Sequence, residues 1–355
     1  MVKILCTIGP ACDDEVTLSA MVDAGMDMVR FNLAHASEQY LEANLPRIKQ
    51  MGLPVVADLE GAKLRVGSIG GGKCWLDEGR TVYLEEGVHV GDSEVLGFNV
   101  PEIIGQLEPG MILRIYECGI RLKVVEVDEI HGRCKCLVEA GGVCEQGKGV
   151  SVQGGLRLTD LSERDQKLHV PWAKKYDFDY LSLSFASGAR PLLYLRELLG
   201  DCSTSLIAKI ETRVAVNNLN EILDHSDMLM IDRGDLGTDI PIEEVPFVQK
   251  LILARCRRVN NDVIIATHLL DSMTEQSRPM MSEVGDVIQS ILDGGSIMML
   301  SRETAVGINP VLCVQTLTNI IERTESLKEQ LGSRVDDSGY DEVIKEYLRR
   351  LNYVI

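Results

Sequence analysis

The stretch Ser205–Gly237, SLIAKIETRVAVNNLNEILDHSDMLMIDRGDLG, decides the fold. It opens on a nearly apolar run, SLIAKIE, passes through an amphipathic segment, and returns to a second apolar run, MLMIDR from Met228. Apolar run, amphipathic segment and apolar run make a βα unit whose strands are buried on both faces. Charge enters only at the far ends of the runs, as Lys209 and Glu211 on the first and Arg233-Gly234-Asp235 after the second. The same alternation holds outward, between residues 1 and 65 and between 178 and 325. It names six more strands: KILCTIG from Lys3, MDMVRFN from Met26, PVVADL from Pro54, YLSLSF from Tyr180, DVIIATH from Asp262 and SIMMLS from Ser296. Eight is the count that closes a (β/α)8 TIM barrel, so the expected class is α/β.

One connection breaks the rhythm. From about Val66 to Gly155 the sequence turns to Gly-punctuated segments such as TVYLEEG, MILRIY and IRLKVVEV, which read as a small all-β domain inserted after strand three. The expected division is a barrel over 1–66 and 156–330, an insert over 67–155 and a C-terminal helix over 331–355, around YDEVIKEYLRRL. The insert leaves the barrel at the C-terminal end of a strand, where barrel enzymes carry their chemistry, so a lid over the site is expected.

The 355 residues are 45% hydrophobic and 25% charged, which excludes a disordered or collagen-like chain. The net charge of −18 and the absence of a basic stripe exclude nucleic acid and anionic membrane as partners. No apolar run approaches the roughly 20 residues of a membrane span, and the N-terminus has no signal-peptide core. A cytoplasmic location is expected. Ten cysteines without a CxxC pair read as reduced packing thiols. Gly67-Ser-Ile-Gly-Gly-Gly-Lys73-Cys74 fits the P-loop glycine spacing, but Cys74 stands where Ser or Thr must bind Mg2+ and a strand-like run follows, so it reads as a hinge.

A polar residue at the C-terminal end of a barrel strand faces the pocket. By that rule the rim gathers Arg30, Asn32 and His35 from strand two, and Asp58, Lys63 and Arg65 from strand three. Strands five to eight add Lys209 and Glu211, Arg233 and Asp235, Thr267 and His268, and Ser301 and Glu303. Lys209 and Glu211 are two apart on a strand and share a face. A lysine with Glu211 and Asp235 suits a divalent cation beside a transferring anion; the alternative is an ion pair that only closes the barrel top. Arg233-Gly-Asp-Leu-Gly reads as a tight turn before a helix whose N-terminus would receive a carboxylate or phosphate. Arg30 and Arg65, with Asn32 and His35, form a polyphosphate clamp or else salt-bridged barrel arginines.

From Lys3 to about Glu322 these pieces, in order and spacing, resemble the pyruvate kinase family. KILCTIGPAC resembles its opening strand, MVRFNLAHAS its Arg-x-Asn-x-Ser-His strand end, and ADLEGAKLRVG its Asp-x-x-Gly-Pro-x-Ile-Arg segment. IAKIET is similar to the catalytic-lysine strand, RGDLGTDIP to the metal-binding turn, IIATHLLDSM to the Ala-Thr-Gln-Met-Leu strand, and IMMLSRETAVGINP to the final strand. The resemblance implies phosphoryl transfer from phosphoenolpyruvate to ADP, giving pyruvate and ATP with Mg2+ or Mn2+. In that scheme Lys209, Arg30 and Thr267 are catalytic, and Glu211 and Asp235 hold the metal. Gly234, Asp235, Thr267 and Ser184 bind phosphoenolpyruvate, while Asn32, His35, Arg65, Pro10 and Lys148 line the nucleotide side.

Several residues depart from the family pattern. Ala34 and Leu59 stand where Ser and Thr would ligate K+, and Lys63 stands where K+-dependent members have Glu. K+ is therefore not expected to be required, with the Lys63 ammonium, together with Asp58, in its place. Glu60 brings negative charge to the phosphate side, His268 replaces Gln, Arg302 replaces Gly, and Cys118 replaces an Asp of the closing lid. The family's C-terminal domain has no counterpart here, so allosteric control by that route is not expected. Two other readings stay open: a divergent paralogue acting on another enolpyruvate or oxo-acid as lyase, decarboxylase or phosphotransferase, and a non-catalytic regulatory protein. A homo-oligomer would pair through the barrel helices.

Overall fold

The computed structural model describes residues 2–61, 63–115, 119–152 and 161–331, together with Lys345, Arg349 and Tyr353. The eight named runs are eight parallel strands: Lys3–Thr7, Met28–Asn32, Val55–Asp58, Tyr180–Leu183, Ser205–Ile210, Met228–Asp232, Val263–Ala266 and Ile297–Leu300. They close into a barrel in chain order, the eighth pairing with the first from Lys3↔Ile297 to Cys6↔Leu300.

Strand parity sorts the side chains. Leu5, Met28, Val56, Ile207, Met228, Met230, Ile264, Ala266, Ile297 and Met299 fill the barrel interior. Their neighbours, such as Cys6, Val29, Ala57, Ala208, Ile210 and Ile231, pack outward with the helices in the main core. One step further along the inward parity, each strand turns polar. Thr7, Arg30, Asp58, Ser182, Lys209 and Asp232 are all buried at the C-terminal mouth. The helices start where short polar side chains cap them: Asp14 accepts from Thr17 N, Ser37 from Tyr40 N and Thr212 from Ala215 N.

The inserted segment has a core of its own, running from Leu64 to Val152. Its main sheet has six strands, Val150–Val152, Ile112–Ile115, Ile120–Asp128, Arg133–Ala140, Thr81–Glu85 and Val95–Leu96 in spatial order; Lys73–Leu76 pairs separately with Gly142–Glu145. Leu64 and Val66 already belong to this second core. Residue 155, the expected end of the insert, lies outside the described residues, as does Cys118. The insert rests on the barrel where Arg114 Nη1 and Ser151 Oγ donate to Thr238 O, at 3.4 and 3.2 Å. The P-loop-like glycines form a single tight turn, Gly70–Gly72, that leads into a strand and not a helix. The nine described cysteines are all free thiols.

One expectation is corrected. Arg233-Gly-Asp-Leu-Gly is not an irregular turn but the start of a short helix, Arg233–Asp239, entered directly from strand six. Neither Gly234 nor Gly237 takes a positive φ. The expected terminal helix lies outside the described residues apart from Lys345, Arg349 and Tyr353. Tyr353 is buried, and its hydroxyl donates to Glu244 Oε2 at 2.6 Å. Among the described residues, no helix is long and apolar enough to cross a membrane.

Met230 sits in the middle of the barrel interior without solvent contact. Met230→Ala should lower the unfolding free energy by about 2–5 kcal/mol through the cavity it leaves, read as a shift of the chemical-denaturation midpoint at unchanged slope.

Candidate active site

Lys209 stands in the barrel mouth with its ammonium 2.8 Å from Glu211, 3.2 Å from Asp232 and 3.6 Å from Asp58. It also donates to Ser184 Oγ at 3.2 Å, and it is almost fully buried. Burial alone would push the amine down, but Asp58, Glu211 and Asp232 outweigh it and hold the group charged, well above the ordinary lysine value. Arg30 adds a second cation. Its Nε donates to Asp58 at 3.0 Å, its Nη2 makes a shorter contact to the same oxygen, and its Nη1 donates to Thr7 Oγ1 at 3.0 Å. Burial would raise Asp58, yet Lys209 and Arg30 hold its carboxyl below the usual range, and Ser182 Oγ donates to it at 2.6 Å.

Glu211 is in a different position. Its Oε2 accepts from Phe185 N at 2.5 Å. Its Oε1, fully buried, faces the Lys209 ammonium at 2.8 Å. Burial, reinforced by Asp232 and Asp235 against the pull of Lys209, pushes the Glu211 carboxyl up to about 8. Oxygens of Glu211, Asp232 and Asp235 lie within 4.8 Å of one another. Three carboxylates, two of them buried, with oxygens this close together make a hard oxygen set that fits a divalent ion such as Mg2+ or Mn2+.

Asp232 is the residue that strand-end reasoning overlooked, since attention fell on Arg233 and Asp235. Parity could have found it, because Met228, Met230 and Asp232 are alternate residues of one strand and the two methionines face inward. Arg233, by contrast, turns away: its guanidinium pairs with Asp286 and donates to Thr267 O. Glu303 also leaves the mouth to receive Leu270 N and Ser301 N at 3.2 and 2.8 Å.

Strand ends four and seven are held in backbone conformations that side chains disfavour. Phe185 has φ +57, and Thr267 and His268 follow one another at +66 and +54. The kink brings Thr267 Oγ1 to accept from Gly234 N at 2.8 Å, with Asp232 Oδ1 at 3.4 Å. Nothing in the sequence signals these left-handed residues.

The cleft above has a volume of about 1260 Å³. It collects the remaining expected residues: Pro10, Asn32, His35, Arg65, Lys148, Ser184, Gly234 and Asp235 all line it. Arg65 Nη1 donates to Gly147 O at 3.0 Å, and Lys148 lies 3.7 Å from Glu145. The departures Glu60 and Arg302 line it as well, and Glu60 faces Arg164 at 3.5 Å. The pairing of Lys63 with Asp58 is corrected. Lys63 forms its ion pair with Asp235 and lies 5.5 Å from the Phe185 ring centroid, while Asp58 is taken by Arg30, Lys209 and Ser182. The physical reason is reach, since the loop after strand three carries Lys63 past the buried ring of charges to its outer carboxylate.

Known proteins resemble the chain in sequence and in fold. The family model described as "Pyruvate kinase, barrel domain" matches residues 1–314. The chain is 34% identical over 349 residues to the pyruvate kinase of Geobacillus stearothermophilus, covering 95% of this chain and 59% of that protein. It is 33% identical over 334 residues to the pyruvate kinase of Sporosarcina psychrophila, covering 91% of this chain and 57% of the relative. It thus spans less than two thirds of the length of both. A crystal structure of a pyruvate kinase from Cryptosporidium parvum superimposes with a TM-score of 0.88 at 26% identity, over 92% of this chain and 70% of that one.

Because burial holds Glu211 protonated up to about 8, an ion that binds its carboxylate must displace a proton. Mn2+ affinity should therefore rise with pH up to about 8 and level off above it, with about one proton released per ion at pH 7. Calorimetry in two buffers of different ionisation enthalpy reads that proton directly.

Proposed function

The chain belongs to the pyruvate kinase family, and from that membership and the charge pattern of the barrel mouth we propose that it moves the phosphoryl group of phosphoenolpyruvate to ADP, yielding pyruvate and ATP. The observation that carries the proposal is the buried Lys209 ringed by Asp58, Glu211 and Asp232, with Asp235 at its edge. Phosphoryl transfer asks a protein for positioning and charge neutralisation, and this is a fixed, water-poor charge array.

In this reading Glu211, Asp232 and Asp235 hold Mg2+ or Mn2+, which when bound supplies positive charge to the phosphoryl and enolate oxygens. Lys209 stabilises the transferring phosphoryl group and the enolate oxygen that appears as the P–O bond to the enol breaks. Arg30, fixed by Asp58 and Thr7, faces the phosphoryl oxygens, and Ser184 keeps the Lys209 ammonium aimed. The backbone at Gly234-Asp235 and the Thr267 side chain receive the substrate carboxylate. The bond to the β-phosphate oxygen of ADP forms as the bond to the enol oxygen breaks, and the enolate carbon then takes one proton. Thr267, hydrogen-bonded within the rim and near Asp232, stands where that proton is delivered. Asn32, His35, Arg65, Pro10 and Lys148 receive the nucleotide in the cleft. Lys63 supplies a fixed positive charge at Asp235, so the reaction needs no K+. The insert, touching the barrel at Thr238, acts as the lid.

Glu60 and Arg302 on the cleft wall favour a second reading, in which the metal half of the site serves a different enolpyruvate or oxo-acid acceptor reaction. A coupled assay with Mg2+, phosphoenolpyruvate and ADP separates the two. Pyruvate should form at the same rate in K+ and in tetramethylammonium buffers, and Lys209→Met should lower the rate by about a hundredfold to a thousandfold, as for a lost transition-state donor. No pyruvate above the Lys209→Met background would end the first reading.

A further inference from the structure

The loop that carries Lys63 to Asp235 is held from below by a buried pair that no site residue named so far contains. Asp165 and His169 lie on a wide π turn after the insert, and neither has any solvent contact. His169 Nδ1 is 2.6 Å from Asp165 Oδ1, and Ser162 Oγ donates to Oδ2 at 2.8 Å. The same two oxygens accept the backbone N–H groups of the loop, Glu60 N at 3.1 Å and Gly61 N at 2.8 Å. Four donors converge on one buried carboxylate, and two of them belong to the segment that ends at Lys63. On the other side of that segment Ser184 Oγ donates to Leu59 O at 2.9 Å while it accepts from Lys209. Gly61 has φ +75, and a Cβ there would stand 2.6 Å from Ser184 Cβ, so the loop has no slack at this point.

Resting on the metal site assigned above, we propose that Asp165, braced by His169, is a positioning residue that sets the Lys63 ammonium against Asp235 and thereby tunes the affinity of the carboxylate cluster for a divalent cation. Two adjacent N–H groups bound by one carboxylate fix both the height and the rotation of the loop. Releasing them loosens the loop on the strand-three side of Lys63, whose carbonyl is held by Asn99 Nδ2 at 2.9 Å, and so shifts its ammonium away from Asp235 and takes positive charge from beside the metal ligands. The sign of the effect is the informative part, because a cation leaving the cluster makes the cluster bind another cation more tightly.

The test is titration of the full chain with Mn2+ alone, followed by electron paramagnetic resonance of the free ion. Asp165→Asn replaces one acceptor oxygen by an amide NH2 that repels one of the two backbone N–H donors and breaks the two-point grip on the loop. It should tighten Mn2+ binding by about threefold to tenfold, the scale of one partly screened charge a few ångströms from the ion. Lys63→Met should tighten it as much, and Asp165→Asn should add nothing on the Lys63→Met background. A general packing defect would loosen the site and would act regardless of residue 63. If Asp165→Asn does not fold, His169→Leu removes one donor from the carboxylate and should shift the affinity in the same direction, while His169→Asn, which can replace the Nδ1 donor, should restore it. Unchanged or weaker Mn2+ binding in Asp165→Asn, or full additivity with Lys63→Met, would overturn the proposal. A wild-type chain that binds no Mn2+ would instead overturn the metal site on which it rests.

Discussion

A single ammonium, that of Lys209, lets the acidic mouth of this barrel exist at all. Asp58, Glu211 and Asp232 are each almost fully buried, and without a cation between them Asp58 and Asp232 would not remain ionised at that depth. Lys209 faces all three and Arg30 holds Asp58 from the far side. The array is still unbalanced, with two cations against three carboxylates, and the imbalance is concentrated on Glu211. That is why Glu211 alone among them is pushed up by burial while Asp58 and Asp232 are held down. A divalent ion at Glu211, Asp232 and Asp235 would relieve the excess, which connects the electrostatics of the fold to its chemistry.

The barrel supplies the rigidity this requires. The interior below the charged ring is a plug of methionine and branched aliphatic side chains, so Lys209 cannot withdraw downward. Above it, backbone held in left-handed conformations at Phe185, Thr267 and His268 turns strand ends four and seven sharply. Phe185 N then reaches Glu211, and Thr267 reaches Gly234. Strain of this kind persists only where surrounding structure enforces it, and here it lies where the charged groups converge.

The eight strands and their inward faces could be read directly because a parallel barrel leaves little choice: runs buried on both sides are apolar and end in polar residues. Lys209, Glu211 and Arg30 followed from parity and position. Asp232 obeys the same parity and was hidden only by the more conspicuous charges after it. The partner of Lys63 and the buried Asp165–His169 brace could not be read, because both depend on how a loop from strand three folds against residues about a hundred or more positions away. The glycine-bearing Arg233–Asp239 segment looked like a turn because glycine disfavours helices; tertiary packing overrode that preference, and Gly237 sits where a Cβ would stand 2.9 Å from Ile242.

The chain belongs to the pyruvate kinase family, and of its departures from the family pattern Glu60, Lys63 and Arg302 line the cleft around the buried ring of charges. Whether that ring is a metal site is the question on which the account turns. Anomalous diffraction from crystals soaked in Mn2+ answers it most directly. The account predicts one strong peak in bonding distance of Glu211, Asp232 and Asp235, absent from crystals of Glu211→Gln. A peak elsewhere, or none at this cluster while Lys209 keeps its three carboxylates, would contradict it.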